Sequence, residues 1–212
     1  MTLAAGGGST PPASLAEVLA SRRMCRDFAD DPVPQEQLGR VLHAAFRGPA
    51  AGNTAGLELL VLTGEDRDAY WALTLPPQRR DGFAWPGLLH APVLVIPYVD
   101  PGAYVRRYAL DDKAGSGLGT STSAWTVPYW WVDGGAAVMA MLLAAESDGL
   151  GALLFGQFDH EAAVAERFGV GEPWRAIGTL ALGHPARGGR RPSRSARDGR
   201  PGPAGRIHHG TW

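Results

Sequence analysis

Residues 131–151, WVDGGAAVMAMLLAAESDGLG, restrict what this chain can fold into more than any other stretch. Val138, Met139, Met141, Leu142 and Leu143 fall all round a helical wheel, between Gly134, Gly135, Ala136, Ala137, Ala140, Ala144 and Ala145. A surface helix would carry a single apolar stripe. Small residues instead let neighbouring backbones approach closely. Polar residues stand only at the ends: Asp133 suits an N-cap, Glu146, Ser147 and Asp148 form the last turn, and Gly149 suits the C-terminal stop. The pattern predicts a long buried central helix, packed on several sides by its own chain or by a partner subunit. The stretch is too short, and too closely flanked by acids, for a membrane span, so no membrane association is expected.

The segments around it must supply that packing. Ser14 can cap a short helix over Leu15–Ser21, and Pro34 suits the start of an amphipathic helix over Gln35–Arg47. Leu57–Leu62, Ala91–Val99, Ala152–Phe155 and Trp174–Gly183 read as apolar strands, with helices over Glu65–Leu75 and Glu161–Phe168. Pro97 is costly inside a strand, which places it near a sheet edge or a bulge. Residues 111–126 read as a Gly/Ser/Thr loop. Residues 1–12 are expected to be a disordered tail, 13–212 a single domain, and 186–212 an extended C-terminal arm. The reading is mixed α+β.

Composition removes several function classes. Net charge is −1 over 212 residues, so the overall balance demands neither nucleic acid nor an anionic surface. Arginines 187, 190, 191, 194, 197, 200 and 206 concentrate in the C-terminal arm, yet nucleic-acid binding is not expected. The lone Cys25 excludes an internal disulfide and an all-cysteine metal site. His208 and His209 are adjacent rather than at ligand spacing, so no metal is expected. No G-x-S-x-G or P-loop pattern appears, and Gly115 to Gly119 (GSGLG) reads as a mobile loop. The first residues lack a basic and an apolar region, so no secretory leader is expected and the cytoplasm is the expected compartment.

Three groups of residues carry possible chemistry. Arg22, Arg23 and Arg26 lie within five residues and can converge on one anion if the backbone bends there. Hydrogen bonds to a charged group contribute about 1.5–3 kcal/mol each, enough for two or three to hold a phosphate; the same arginines suit a solvated face. Asn53, in the Gly48–Gly56 loop, offers donors and an acceptor that match the amide edge of a planar heterocycle; a plain Asn turn is the other reading. Gly156, after a strand, can present its N–H to a ligand or merely turn the chain. Trp125, Tyr129, Trp130 and Trp131 read as core, interface or a stacking wall.

Taken in order, these pieces resemble the nitroreductase family of FMN-dependent oxidoreductases. Arg22-Arg23-Met24-Cys25-Arg26-Asp27-Phe28 matches its RRSxRxF-type motif, Pro32-Val33 through Leu38, Leu42 and Ala45 its PVxxxxLxxxLxxA helix, and Pro49–Leu57 its PSxxNxQPW-like loop. The central helix ending in GLG, the ALGHP at 181–185 and the final Trp212 also fit. The resemblance implies an α+β nitroreductase-like fold, with a central, mostly antiparallel sheet flanked by helices. It implies a homodimer with the long helix at its interface and two FMN sites built from both chains. Arg22 and Arg23 would face the phosphate and ribityl region, with Met24 where the motif has serine. Arg26 would sit near the pyrimidine edge, and Asn53 would bond the isoalloxazine. Phe155, Gly156 and Gln157 would lie near N5, and Arg197 or Arg200 would close the phosphate site. No catalytic side chain is implied, because the flavin carries the chemistry. The activity implied is hydride transfer from NAD(P)H to a small organic acceptor: a nitroaromatic, quinone or activated alkene. A biosynthetic flavin dehydrogenase or oxidase acting on a peptide or small metabolite, and a non-catalytic flavin-binding protein, remain as alternatives. Met24, Ala50, Ala55 and Leu57 depart from the motifs, each losing a polar or stacking contact.

Overall fold

The computed structural model describes residues 14–189, 199 and 202–211. The expected 1–12 tail and much of the 186–212 arm lie outside the described residues. The first helix, α1 (Leu15–Ser21), opens on a complete capping box: the Glu17 N–H bonds the Ser14 hydroxyl, and the Glu17 carboxylate takes the Ser14 N–H at 2.7 Å. An extended segment, 22–28, leads to α2 (Gln35–Ala44), which ends in a 3₁₀ turn, Ala45–Arg47.

One sheet organises the rest. Its strands are β1 (Leu57–Thr63), β2 (Val93–Val99), β3 (Gly151–Phe155), β4 (Arg175–Ala176) and β5 (Thr179–Gly183). The order is β1-β2-β5-β3, with β4 also on β2, and every pair of these strands is antiparallel. All seven residues of β2 are buried because both its faces are covered. Val93 and Val95 pack towards α2 and α5 (Tyr129–Ser147). Leu94, Ile96 and Tyr98 pack on the other side, with Tyr70 and Trp71 of α3 (Gly64–Thr74) and Val164 of α6 (Glu161–Arg167).

Pro97 proves compatible with a central strand. Opposite it, β4 and β5 are interrupted at Ile177 and Gly178, where Gly178 has φ +151°. The Pro97 carbonyl still accepts the Ile177 N–H at 3.0 Å, and the N–H that proline lacks faces the break. The bulge was the correct half of the expectation.

The central helix differs from its reading in two respects. It begins a turn early, at Tyr129, with Pro128 at the N-cap and no side-chain cap. Burial of Trp130 against Tyr104 and Trp125 draws this extra turn into the fold. Asp133 is therefore no cap but a buried residue within the helix. Second, one chain covers only one side of it. Trp130, Asp133, Gly134, Ala137, Val138, Met141, Leu142 and Ala145 face inward, while Trp131, Val132, Gly135 and Met139 remain exposed. At Gly134 the small-residue argument becomes concrete: a Cβ there would meet Ile177 Cδ1 at 2.2 Å and Val99 Cγ1 at 3.0 Å. The stop at Gly149 (φ +75°) is as read. The Leu150 N–H reaches the Ala145 carbonyl at 2.8 Å and the Gly149 N–H reaches Glu146 at 3.0 Å, closing a Schellman motif.

A helix absent from the sequence reading, α4 (Pro101–Tyr108), follows β2. Its start is conventional: Asp100 accepts the Gly102 N–H at 2.7 Å and Pro101 occupies the first turn. Among the described residues, no helix is long and apolar enough to cross a membrane.

Candidate functional site

The arginine segment runs as an extra extended edge beside β3. Met24 forms a parallel bridge with Ala152, and the Cys25 N–H donates to the Ala152 carbonyl at 2.9 Å. The Phe28 N–H bonds Gly87, and the Arg26 N–H donates to the Gly189 carbonyl at 3.1 Å. The segment is thus held between the sheet, the 86–90 turn and the start of the C-terminal arm. Gly87 permits this approach, since a Cβ would strike the Asp27 carboxylate at 1.9 Å.

This backbone sends the three arginines to different places. Arg22 is partly buried, and its Nη1 is fully buried with no hydrogen-bond partner among the described residues. Arg23 is exposed and turns back to cap α1, donating to the Ala20 and Arg22 carbonyls at 2.8 and 2.9 Å. Arg26 lies with its guanidinium carbon 5.1 Å from the Trp85 ring centroid, a cation–π contact at the rim of a cavity. Met24 is packed against both apolar clusters. Cys25 is wholly buried and its thiol donates to the Asp27 carbonyl at 3.2 Å.

The cavity beneath Arg26 has a volume of about 350 Å³ and is walled by Trp71, Phe83, Trp85, Phe155 and Phe158. Trp71 and Phe155 stack with centroids 5.7 Å apart and planes within 10°. At its polar end, the Tyr70 hydroxyl and Thr179 Oγ1 are 2.8 Å apart, and Gln157 Nε2 donates to Thr179 at 3.1 Å. Burial pushes the Tyr70 phenol up to about 12, against its hydrogen bond with Thr179. Gln157 Oε1 and Trp71 Nε1 are buried without partners among the described residues. Gly156 and Phe158 form the mouth. Phe158 adopts φ +47°, rare for a bulky residue, and rests its exposed ring on the Gly156 Cα. Phe155, Gly156, Gln157 and Arg26 therefore line one cavity.

Asn53 does not join them within one chain. It sits in the 3₁₀ turn Ala51–Asn53, whose Ala51 N–H bonds Asp133 near the start of α5. The Arg22 end of α1 is tied to the other end of α5, through Ser21 and Glu146 at 2.7 Å. Asp133 and Glu146 are about 20 Å apart at a rise of about 1.5 Å per residue. Arg197 and Arg200 lie outside the described residues. Among the described residues no cluster of metal-ligating side chains occurs.

Sequence reasoning missed Trp71, Phe83, Trp85 and Thr179. Trp85 reaches Arg26 across almost sixty residues of chain, and Thr179 meets Tyr70 across more than a hundred, so no local pattern announced either contact. Of the tryptophan cluster, Trp125 and Trp130 are core and Trp131 is outward.

Fold and cavity together define an α+β protein with an arginine-lined edge above an aromatic recess. The nitroreductase family model matches residues 19–184, and the chain belongs to that family. It is 27% identical over 169 residues to the FMN reductase [NAD(P)H] of Bacillus subtilis (strain 168); the match covers 79% of this chain, and the chain spans 64% of that relative's length. A nitroreductase family protein from Clostridium difficile 630 superimposes with a TM-score of 0.68 at 19% identity, covering 94% of this chain and 100% of the other. A Desulfovibrio desulfuricans protein assigned to the nitroreductases, and solved in complex with FMN, superimposes with a TM-score of 0.64 at 22% identity, covering 97% and 99%.

Proposed function

We propose that this chain is an FMN-dependent oxidoreductase that draws hydride from NAD(P)H and delivers it to a small, planar organic acceptor. The observation that carries the reading is the Nη1 of Arg22, buried and without a partner among the described residues, on the same segment as Arg26. A desolvated guanidinium N–H without an acceptor is costly, and a phosphate oxygen would satisfy it. The residues present thus fit a phosphorylated, flat cofactor. Its name as an FMN reductase [NAD(P)H] makes the Bacillus subtilis relative consistent with this.

When bound, FMN supplies the hydride relay between the nicotinamide and the acceptor. The chain supplies the rest. Arg22 would hold the phosphate, joined from the C-terminal arm by Arg197 or Arg200; Arg23, turned onto the Ala20 and Arg22 carbonyls, is not assigned to it. Arg26, braced by Trp85, places positive charge beside the pyrimidine edge, where it favours the reduced state. Gly156 offers backbone close to N5, and the aromatic walls exclude water.

The exposed apolar side of α5 is the seam of a homodimer. Asn53 and Arg22 lie towards opposite ends of this helix, so an antiparallel pairing of two copies brings the partner's Asn53 towards Arg22 and Arg26. NAD(P)H dependence suits a cytoplasmic enzyme.

The test is an FMN titration of the full-length protein, followed by anaerobic reduction with NADH and NADPH. Binding with rapid bleaching supports the reading. Bound FMN that no nicotinamide reduces would indicate a flavin-binding protein or a dehydrogenase with another donor. Arg26→Ala should lower both flavin affinity and midpoint potential; no change in either removes Arg26 from the site.

A further inference from the structure

Asp133 is a buried carboxylate for which hydride transfer has no direct use. It is 8% exposed, and its Oδ2 accepts the Ala51 N–H at 2.7 Å and the Tyr104 hydroxyl at 2.9 Å. The turn it holds is unusual, since Gly52 and Asn53 are consecutive left-handed residues, at φ +63° and +56°. That conformation is unfavourable for most L-residues and needs external support. Support comes from both sides. Asp133 grips the entry to the turn, while Arg107 Nε donates to the Gly52 carbonyl at 2.7 Å and the Tyr108 ring closes over the Gly52 Cα. The Asn53 side chain is exposed and makes no hydrogen bond among the described residues. The backbone is clamped and the carboxamide is left free, an arrangement that suits a group presented to something outside its own chain.

We propose that Asp133 is a positioning residue, which fixes the 51–53 turn so that Asn53 meets the flavin bound by the opposite subunit already oriented. This rests on the cofactor reading above. Because Asp133 lies in α5, the helix that forms the seam also sets the angle of the residue that crosses it. A carboxylate suits the task, because bonds to an ionised acceptor are shorter and about twice as strong as neutral ones.

A double-mutant cycle on the full-length dimer tests this, with FMN dissociation constants from flavin fluorescence. Asn53→Ala and Asp133→Ala should each weaken binding about tenfold. The double variant should be no more than about twofold weaker than Asn53→Ala, because the two residues act as one unit. Asp133→Asn keeps an acceptor oxygen and should recover most of the loss. Ala51→Pro provides a second route if Asp133→Ala does not fold. It removes the donated N–H, and Ala50 at φ −141°, ψ 124° already suits a residue before proline. It should reproduce the loss, again without adding to Asn53→Ala. The proposal is overturned if the losses multiply, or if Asp133→Ala and Ala51→Pro bind FMN as the parent does. A parent protein that ignores FMN refutes the proposed function itself. A parent that binds FMN with Asn53→Ala unaffected refutes the inference and leaves the cofactor reading standing.

Discussion

Replacing Arg22 by methionine should move stability and function in opposite directions. Arg22 Nη1 is buried without a partner among the described residues. An unsatisfied buried donor costs about 1–3 kcal/mol, and methionine preserves most of the aliphatic stem. Arg22→Met should therefore stabilise the apo protein by about 1 kcal/mol, a rise of roughly 2–4 °C in Tm for a chain of this size. The same substitution removes a charge-assisted bond to the phosphate, worth about 1.5–3 kcal/mol; a loss of about 2 kcal/mol is roughly 30-fold in affinity. The two effects separate in a thermal or urea titration with and without cofactor at fixed protein concentration. With FMN at about 100 times the parent dissociation constant, ligand stabilises the parent by about 2.7 kcal/mol and the variant by only about 0.9 kcal/mol. The reasoning fails if apo Arg22→Met is less stable than the parent, because the orphaned nitrogen then carried no cost. It fails equally if the FMN-induced stabilisation is the same in both.

Two further outcomes follow from the same geometry. Met139→Glu places a charge on the outward side of α5 and should leave circular dichroism unchanged while converting the dimer to monomer and releasing FMN, as seen by light scattering and absorbance; dimers that persist would refute the assignment of the seam. Tyr70 and Tyr98 are both pushed up to about 12, chiefly by burial. Above pH 10 the unfolded chain loses these protons while the fold retains them, so their contribution is complete below about pH 10 and lost towards pH 12. Urea midpoints should fall across that window, and less steeply in Tyr70→Phe; an unchanged slope would contradict the buried-phenol account.

Much of the backbone was legible because its signals are local. Ser14 and Glu17 cap α1 through a box four residues long, Gly149 ends α5 as glycine should, and the apolar runs at 57–62 and 152–155 became β1 and β3. The α4 start is likewise local, in Asp100 and Pro101. The arginine segment was recognisable as a pattern, but its division of labour was not. Whether a guanidinium caps a helix, sits unpaired or lies on an indole depends on what neighbouring elements bring to it. Arg23 met the Ala20 and Arg22 carbonyls, Arg22 Nη1 met no partner among the described residues, and Arg26 met Trp85.

Asp133 shows the boundary between the two kinds of information. An aspartate ahead of an apolar run reads as an N-cap, because capping depends on the few residues that follow. Burying Trp130 beside Tyr104 and Trp125 outweighed that preference and moved the helix start five residues upstream. The carboxylate was then free to reach Ala51 and Tyr104, 82 and 29 residues away. Helix and strand periodicity, caps and turn residues act over a few residues, so the chain alone determined its elements, and the order of its motifs its family. Which face of α5 is covered, how Pro97 is accommodated and which aromatic rings enclose the cavity depend on contacts between distant residues, and only the assembled tertiary structure decides those.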